Sequence, residues 1–276
     1  MTKILYAKDY VEKKTLDLKE KIKKIGFSPV ISIIRIGEDP GSSAYERGIK
    51  KTSEKLGISV DVNSYSLDVS EDKILGKIKE LNEDEKVGGI LIFRPLPEKF
   101  DEEKISLALD PKKDIDCMSP LNMAKVYAGD IDGFIPLAPK ASFELLKHYG
   151  YDLKGKETVI INHSNVVGKP LAMILLKELA TVTICHIGTK DLRKHTKNAD
   201  IIFSAVGKAE FLDETYFNED ATVIDIGTSK NSEGKFRGDL DEESVDGKIK
   251  AFSPVPGGIG SITNLLLLEN VINYYL

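Results

Sequence analysis

Four short stretches of the chain hold residue types that can do chemistry. Ile161-Asn162-His163-Ser164-Asn165-Val166-Val167-Gly168-Lys169-Pro170 joins a β-branched run to a helix-forming one. Backbone N–H groups at a strand-to-helix turn can meet an anion, and the helix N-terminus adds positive potential, so this turn suits a dinucleotide pyrophosphate. The usual G-x-G-x-x-G is absent; Asn162 stands where the first glycine would be, and asparagine tolerates positive φ better than most residues. An ordinary βα loop is the competing reading. Further on, Cys185-His186-Ile187-Gly188-Thr189-Lys190 has no acid before Asp191. An acid there would bind a ribose 2′-hydroxyl and favour NAD. His163, His186 and Lys190 could instead face a 2′-phosphate, which leans toward NADP, although an isolated histidine more often serves structure. In Pro254-Val255-Pro256-Gly257-Gly258-Ile259-Gly260 the glycines let backbone approach a flat ring closely; the bland alternative is a tight turn. Asp116 could accept from two adjacent donors, as a carboxylate does in bidentate recognition, or it is a solvated loop acid.

The elements that must position these residues alternate along the chain. Apolar β-branched runs at 29–36, 58–67 and 87–93 read as strands, the last stopped by Arg94-Pro95-Leu96-Pro97 because proline cannot continue a central ladder. Helices fit between them: one capped by Ser42 or Ser43 and running to about Lys55, one at 70–82, and a short one at 101–109. The second half repeats the pattern, with strands at 158–161, 180–185, 200–207 and 221–227. Pro170 is placed to open a helix over 171–179. Alternation of this kind predicts an α/β protein of two domains with mostly parallel sheets, the second Rossmann-like. The expected boundaries are 1–126 plus a C-terminal helix at 262–276 for one domain and 127–261 for the other. That helix carries a single acid, Glu269, and should pack back onto the body.

Composition narrows the function classes. The chain has 276 residues, 41% hydrophobic and 30% charged, with 44 acids against 39 bases and a formal charge of −5. A mild, mixed charge argues against a nucleic-acid partner or a polybasic membrane contact, and no apolar run reaches the ~18 residues of a membrane span. Two cysteines in unrelated contexts, Cys117 and Cys185, exclude a disulfide framework and a cysteine-based zinc site, and suit a reducing cytoplasm. The four histidines begin only at His148 and fall in no cluster with ligand spacing, so no metal is expected.

Taken in order, several motifs form a set: Asp39-Pro40-Gly41-Ser42-x-x-Tyr45, Gly89-Ile90-Leu91 before Pro95-Leu96-Pro97, Lys112-Lys113-Asp114-Ile115-Asp116, Ser164-x-x-Val167-Gly168-x-Pro170, Ile224-Asp225-Ile226-Gly227, Gly238-Asp239, and the 254–260 segment. In this order and spacing the chain resembles the methylenetetrahydrofolate dehydrogenase/cyclohydrolase family from about residue 29 to the C-terminus. The resemblance implies a cytoplasmic homodimer of one-carbon metabolism, with a cleft between two domains that takes a tetrahydrofolate derivative and NADP. One step oxidises 5,10-methylenetetrahydrofolate to the 5,10-methenyl form; the other hydrolyses that product to 10-formyltetrahydrofolate. It implies folate contacts at Ser42, Tyr45, Phe93, Asp116, Pro256, Gly257 and Gly258, with Asp116 on the pterin donors and Tyr45 stacking or hydrogen bonding. It implies cofactor contacts at Asn162, His163, Ser164, Val167, Gly168, Ile187, Thr228 and Gly258. Tyr45, Asp116 and position 49 are the expected catalytic positions.

Departures from the family are informative. The family's Ser-x-x-Tyr-x-x-x-Lys supplies the lysine central to the hydrolase step, but the fourth residue after Tyr45 is Ile49. Lys50 and Lys51 lie about 100° and 200° further round a helix. The family's glutamine before Pro-Leu-Pro is Phe93 here. Hydration needs a positioned water and a group that takes its proton, and neither Ile49 nor Phe93 supplies one. Hydrolysis is therefore expected to be lost or very weak while the dehydrogenase survives. Cys117-Met118-Ser119 replaces Gly-Phe-His, Pro136-Leu137-Ala138-Pro139 replaces Pro-Cys-Thr-Pro, Asn162-His163 replaces Gly-Arg, and Ile187 replaces a basic or hydroxylated residue. The last two bear on NADP against NAD. A non-catalytic folate- or nucleotide-binding relative is the alternative; a shikimate-type dehydrogenase is disfavoured by the motif set.

Overall fold

The computed structural model describes residues 1–38 and 40–276; Asp39, which opens the first motif, lies outside the described residues. The elements run β1 (Lys3–Ile4), α1 (Lys8–Ile25), β2 (Val30–Ile36), α2 (Pro40–Leu56), β3 (Ser59–Tyr65), α3 (Glu71–Glu83), β4 (Val87–Ile92), α4 (Glu102–Ala108), α5 (Pro120–Tyr127), α6 (Leu137–His148), β5 (Glu157–Ile161), α7 (Gly168–Lys177), β6 (Thr181–Cys185), α8 (Leu192–Thr196), β7 (Ile201–Ser204), β8 (Thr222–Asp225), β9 (Ser229–Lys230), β10 (Phe236–Arg237), α9 (Glu242–Val245), β11 (Ala251–Phe252) and α10 (Ile259–Asn273). They form two compact α/β units. One comprises Met1–Glu12, Val126–Ile131 and Pro136–Thr263; the other comprises Lys13–Lys125, Asp132–Ile135 and Asn264–Leu276.

The Lys13–Lys125 unit holds a parallel sheet in the order β3-β2-β4. β4 is buried along its whole length, the mark of a strand covered on both faces. Ile34, Ile74, Ile78, Leu81, Ile90, Ile92, Ile105 and Leu109 pack one core around it. Helix starts are set locally: Ser70 accepts from the Lys73 N–H at the head of α3, and Asp101 accepts from the Lys104 N–H at the head of α4. Gly89 has a steric reason. A Cβ there would lie 2.5 Å from Ile115 Cγ2 and 2.9 Å from Val271 Cγ2, so glycine lets α10 and the 113–117 segment close onto β4.

The second unit holds a parallel sheet in the order β1-β11-β8-β7-β5-β6, with a core of Val159, Ile161, Ile202, Val223 and Phe252 among others. Because every pairing is parallel, the segments following β5, β7, β8 and β11 all leave from the C-terminal edge. β5 lies between β6 and β7, so the strand order reverses there, and that is where a doubly wound sheet offers a binding crevice.

Three details differ from expectation. Residues 1–12 pack with the larger sheet, because β1 pairs with β11 (Lys3 against Ala251, Ile4 against Phe252); a two-residue strand has no periodicity to read. Helix α7 begins at Gly168, so Pro170 is its third residue and not its first; the missing N–H is still harmless in a first turn. Helix α10 spans Ile259–Asn273, three residues earlier than expected at each end. Among the described residues no helix is long and apolar enough to cross a membrane.

Candidate active site

In the Lys13–Lys125 unit the Lys112-Lys113-Asp114-Ile115-Asp116 run is mostly a scaffold. Lys113 is almost fully buried and donates from Nζ to the carbonyl oxygens of Leu81 (3.0 Å), Asn82 (2.8 Å) and Asp84 (2.7 Å), closing the C-terminal end of α3. Asp114 accepts from the Met118 and Ser119 N–H groups (2.8 Å each) and from Asn122 Nδ2 (2.9 Å). Ile90 N–H donates to Lys113 O at 2.7 Å, and Asn270 Nδ2 of α10 donates to Ile115 O at 2.8 Å. The segment is thus tied to α3, β4, α5 and α10, and Asp116 is the acid left with free acceptor capacity.

Asp116 Oδ2 accepts from Arg94 Nη2 at 3.0 Å, and Arg94 Nη1 lies 4.0 Å from Glu102 Oε1. Burial pushes the Asp116 carboxyl above the usual carboxylate range; the Arg94 charge and hydrogen bond oppose this, and Asp114 adds to it. Tyr45, on α2, packs its ring on Phe93 with centroids 5.8 Å apart. Burial first, then the Asp116 charge, holds its phenol far above the ordinary range, so Tyr45 keeps its proton and can donate. Ser42 is partly buried in the first turn of the same helix.

Ile49, one turn beyond Tyr45, has no exposed surface, and Phe93 is 8% exposed. Lys50 is half-exposed and tied 2.6 Å from Glu46 Oε1, whose other oxygen lies 3.2 Å from Arg35 Nη1. Lys50 is therefore engaged along α2 by its own i−4 acid, as the helical geometry requires. Cys117 adopts φ 55°, a conformation that suits glycine, and burial pushes its thiol up, which disfavours the thiolate.

In the larger-sheet unit the turn after β5 is built around one amide. Asn162 Oδ1 accepts from the N–H groups of Ser164 (2.8 Å) and Gly168 (3.1 Å), and its Nδ2 donates to Ala205 O (2.7 Å) at the end of β7. The asparagine thus bridges the point where strand order reverses. The sequence suggests a different reason for it, but Asn162 is not among the positive-φ residues; among the described residues those outside glycine are Cys117, Leu179 and Glu210. Its amide shapes the turn, not its backbone freedom. Gly168 is sterically required, because a Cβ would stand 2.1 Å from Asn162 O. Ser164 Oγ accepts from Val167 N–H at 3.1 Å and Ser164 O from Lys169 N–H at 3.1 Å. The N–H groups of the exposed residues Asn165 and Val166 have no hydrogen-bond partner among the described residues, which leaves donors for a phosphate beside the start of α7.

His163 and His186 are exposed, with ring centroids 5.2 Å apart. Gly188 N–H donates to His186 Nδ1 at 3.0 Å, which leaves Nε2 of this exposed ring as the nitrogen that carries the donor hydrogen. Ile187 is fully exposed and Thr228 is exposed just past β8. After β11, Ala7 N–H donates to Gly257 O (2.9 Å) and Val255 N–H to Glu242 Oε1 (2.8 Å), which fixes the 254–258 segment. Pro256 is exposed there, Gly257 takes φ 111°, and a Cβ on Gly258 would stand 2.6 Å from Pro254 O.

Two motif acids of this unit are buried ties. Asp239 accepts from Ser204 Oγ (2.7 Å) and from the N–H groups of Val206 (2.6 Å), Gly207 (2.9 Å) and Lys208 (2.9 Å). Asp225 accepts from Gly227 N–H (3.0 Å) and Leu240 N–H (2.8 Å); burial pushes its carboxyl up to about 7, with the Asp239 charge adding to it. Sequence reasoning passed over Arg94 and Glu102. The available signal was a charged residue at the end of an otherwise apolar strand.

Residues 5–116 match the tetrahydrofolate dehydrogenase/cyclohydrolase catalytic domain, and residues 136–276 match the NAD(P)-binding domain of the same family. The chain is 46% identical over 276 residues to the bifunctional protein FolD of Clostridium botulinum, covering 99% of this chain and 98% of that one. Its fold superposes on the bifunctional methylenetetrahydrofolate dehydrogenase/cyclohydrolase FolD of Campylobacter jejuni with TM-score 0.96 at 36% identity, over 100% of this chain and 99% of that one. The Trypanosoma brucei methylenetetrahydrofolate dehydrogenase-cyclohydrolase, solved with NADP and an inhibitor, gives TM-score 0.93 at 26% identity, over 99% and 97% of the two chains. Similar to such proteins from end to end and matched in both units, the chain belongs to the tetrahydrofolate dehydrogenase/cyclohydrolase family.

Proposed function

We propose that this chain oxidises 5,10-methylenetetrahydrofolate to 5,10-methenyltetrahydrofolate with NADP, and that it hydrolyses the product to 10-formyltetrahydrofolate poorly or not at all. The observation that carries the reading is a split within one unit. Asp116 and Tyr45 present an acceptor and a donor, while the positions of the family's lysine and glutamine are a fully buried Ile49 and a Phe93 packed on Tyr45. Removing hydride from a carbon flanked by two nitrogens leaves a stabilised cation and needs no protein base. Bound NADP would supply the hydride acceptor. Asp116 then accepts from the paired pterin donors, with Tyr45 and Ser42 beside the folate. Asn162, His163, Ser164, Val167, Gly168, Ile187 and Thr228 would hold the cofactor, with Gly258, and Pro256, Gly257 and Gly258 would offer backbone to the folate. N–H groups at Asn165 and Val166 without a partner among the described residues, and the donor Nε2 of the exposed His186, support phosphate binding on that side.

The test is the purified chain with methylenetetrahydrofolate and NADP, following reduced cofactor and methenyl product together. Methenyl accumulation at the rate of cofactor reduction is expected. Conversion to formyltetrahydrofolate well above the uncatalysed rate, abolished by changing Lys50, overturns the second half of the proposal; equally tight NAD and NADP in a titration overturns the cofactor preference. We also infer a cytoplasmic homodimer. The two buried free cysteines support the compartment, and the open edge strand β6, with Ile184 39% exposed, supports the dimer. Light scattering on the purified protein checks the mass.

A further inference from the structure

We propose that Arg94 is a positioning residue for folate binding: its guanidinium donates to one lone pair of Asp116 Oδ2 and so turns the carboxylate, with Oδ1 and the remaining lone pair of Oδ2, toward the paired donors of the pterin. The inference rests on the folate reading above and adds to it a residue that touches the recognising carboxylate. Its basis is the contrast between two acids two residues apart. Asp114 is occupied by Met118 N–H, Ser119 N–H and Asn122 Nδ2. Asp116, with its side chain 26% exposed, receives its hydrogen bond among the described residues from Arg94, at 3.0 Å on one oxygen. Arg94 is itself 22% exposed, hydrogen-bonded to Asp116 and 4.0 Å from the Glu102 carboxylate, so it lies between two acids. A charge-assisted hydrogen bond to one oxygen sets the carboxylate's direction as well as favouring its charge.

The groups acting on Asp116 are Arg94, Asp114, Tyr45 and Cys117, and of these only Arg94 is a cation. Burial and the Asp114 charge both favour a protonated Asp116; Arg94 opposes them. A protonated carboxyl offers one acceptor and one donor where two substrate N–H groups require two acceptors. Loss of Arg94 therefore weakens binding and makes it more sensitive to acid.

The experiment measures KM for methylenetetrahydrofolate from about pH 5.5 to 9, bracketing the carboxyl and imidazole ranges, for wild type, Arg94→Leu, Arg94→Gln and Arg94→Lys. Arg94→Leu is expected to raise KM about 10- to 100-fold near neutrality, the worth of a charge-assisted hydrogen bond. Its acid-side rise moves to higher pH, while KM for NADP stays put. Arg94→Gln, which lacks the charge, should move the acid limb further than Arg94→Lys, and this ordering serves if the leucine variant does not fold. Titration calorimetry with tetrahydrofolate repeats the comparison without turnover. Superimposable pH profiles across the variants, or KM values for folate and NADP that move together, overturn the role of Arg94. A wild type that binds tetrahydrofolate with the predicted Arg94 dependence but reduces no NADP overturns the activity instead.

Discussion

Each unit carries a pair of buried or half-buried aspartates at its candidate site, and the two pairs are handled differently. In both, one member is saturated: Asp114 by three donors and Asp239 by four. The other members diverge. Asp116 has a cation on one oxygen and keeps acceptor capacity, whereas Asp225 has backbone N–H donors, no ion pair among the described residues and 1% exposure. A carboxylate beside a cation can stay partly open to solvent. A carboxylate used as a tie can be enclosed, and at Asp225 burial then raises its proton affinity. The surroundings follow the same division. The Asp116 site is assembled from side chains on α2, β4 and the 113–117 segment, while the Asn162 turn is assembled from backbone groups folded around one amide.

If the first region is defined by its side chains, changing two of them should change its chemistry. Combining Ile49→Lys with Phe93→Gln is expected to raise methenyltetrahydrofolate hydrolysis by roughly 10²- to 10⁴-fold, the usual worth of a placed acid–base group. Loss of methenyl absorbance reads it directly, and an unchanged rate in a folded protein would remove the side-chain account of that region.

The two acids should also separate by pH. The folded pKa of Asp225 lies at about 7 against an ordinary 3.8, so the folded chain binds the extra proton between those values. Its contribution therefore lowers stability as pH rises through that window, by an upper bound on the order of 4 kcal/mol. Denaturant midpoints from pH 4 to 8 should show Asp225→Asn falling less steeply than wild type, even though asparagine cannot accept both N–H groups. Parallel curves would show that Asp225 is not the uncompensated member.

On the backbone-built side, Gly168→Ala is expected to cost about 1–3 kcal/mol, the scale of overpacking at a rigid contact, and to raise KM for NADP more than KM for folate. A thermal melt with both KM values checks it; equal effects on the two substrates would blur the distinction between the regions. The smallest effect belongs to Lys50→Ala. That i, i+4 pair joins a half-exposed lysine to a buried Glu46 that Arg35 also neutralises, so its loss should cost no more than about 1 kcal/mol, and both activities should stay within twofold of wild type.

Much of this molecule was legible from residue order. Continuous β-branched runs alternating with helix formers fixed a parallel α/β plan, because strands covered on both faces have no polar face to alternate. That Ile49 and Phe93 are apolar and follow Tyr45 and precede Pro95 needed only a count; the structure adds that both are buried. Other features depended on contacts distant in the chain. The strand β1 is two residues long and exists only because β11 is there to pair with it. Asn162 read as a residue tolerant of positive φ, yet it acts through an amide that reaches Ala205, forty-three positions away. In the same way Arg94 read as the charged end of a strand until the fold set it 3.0 Å from Asp116. Sequence by itself settles which local conformations and apolar faces are available, since those follow from neighbouring residues. Which carboxylate is closed by donors, which is held by a cation and which is walled off was decided by tertiary structure, because burial and charge pairing act through space.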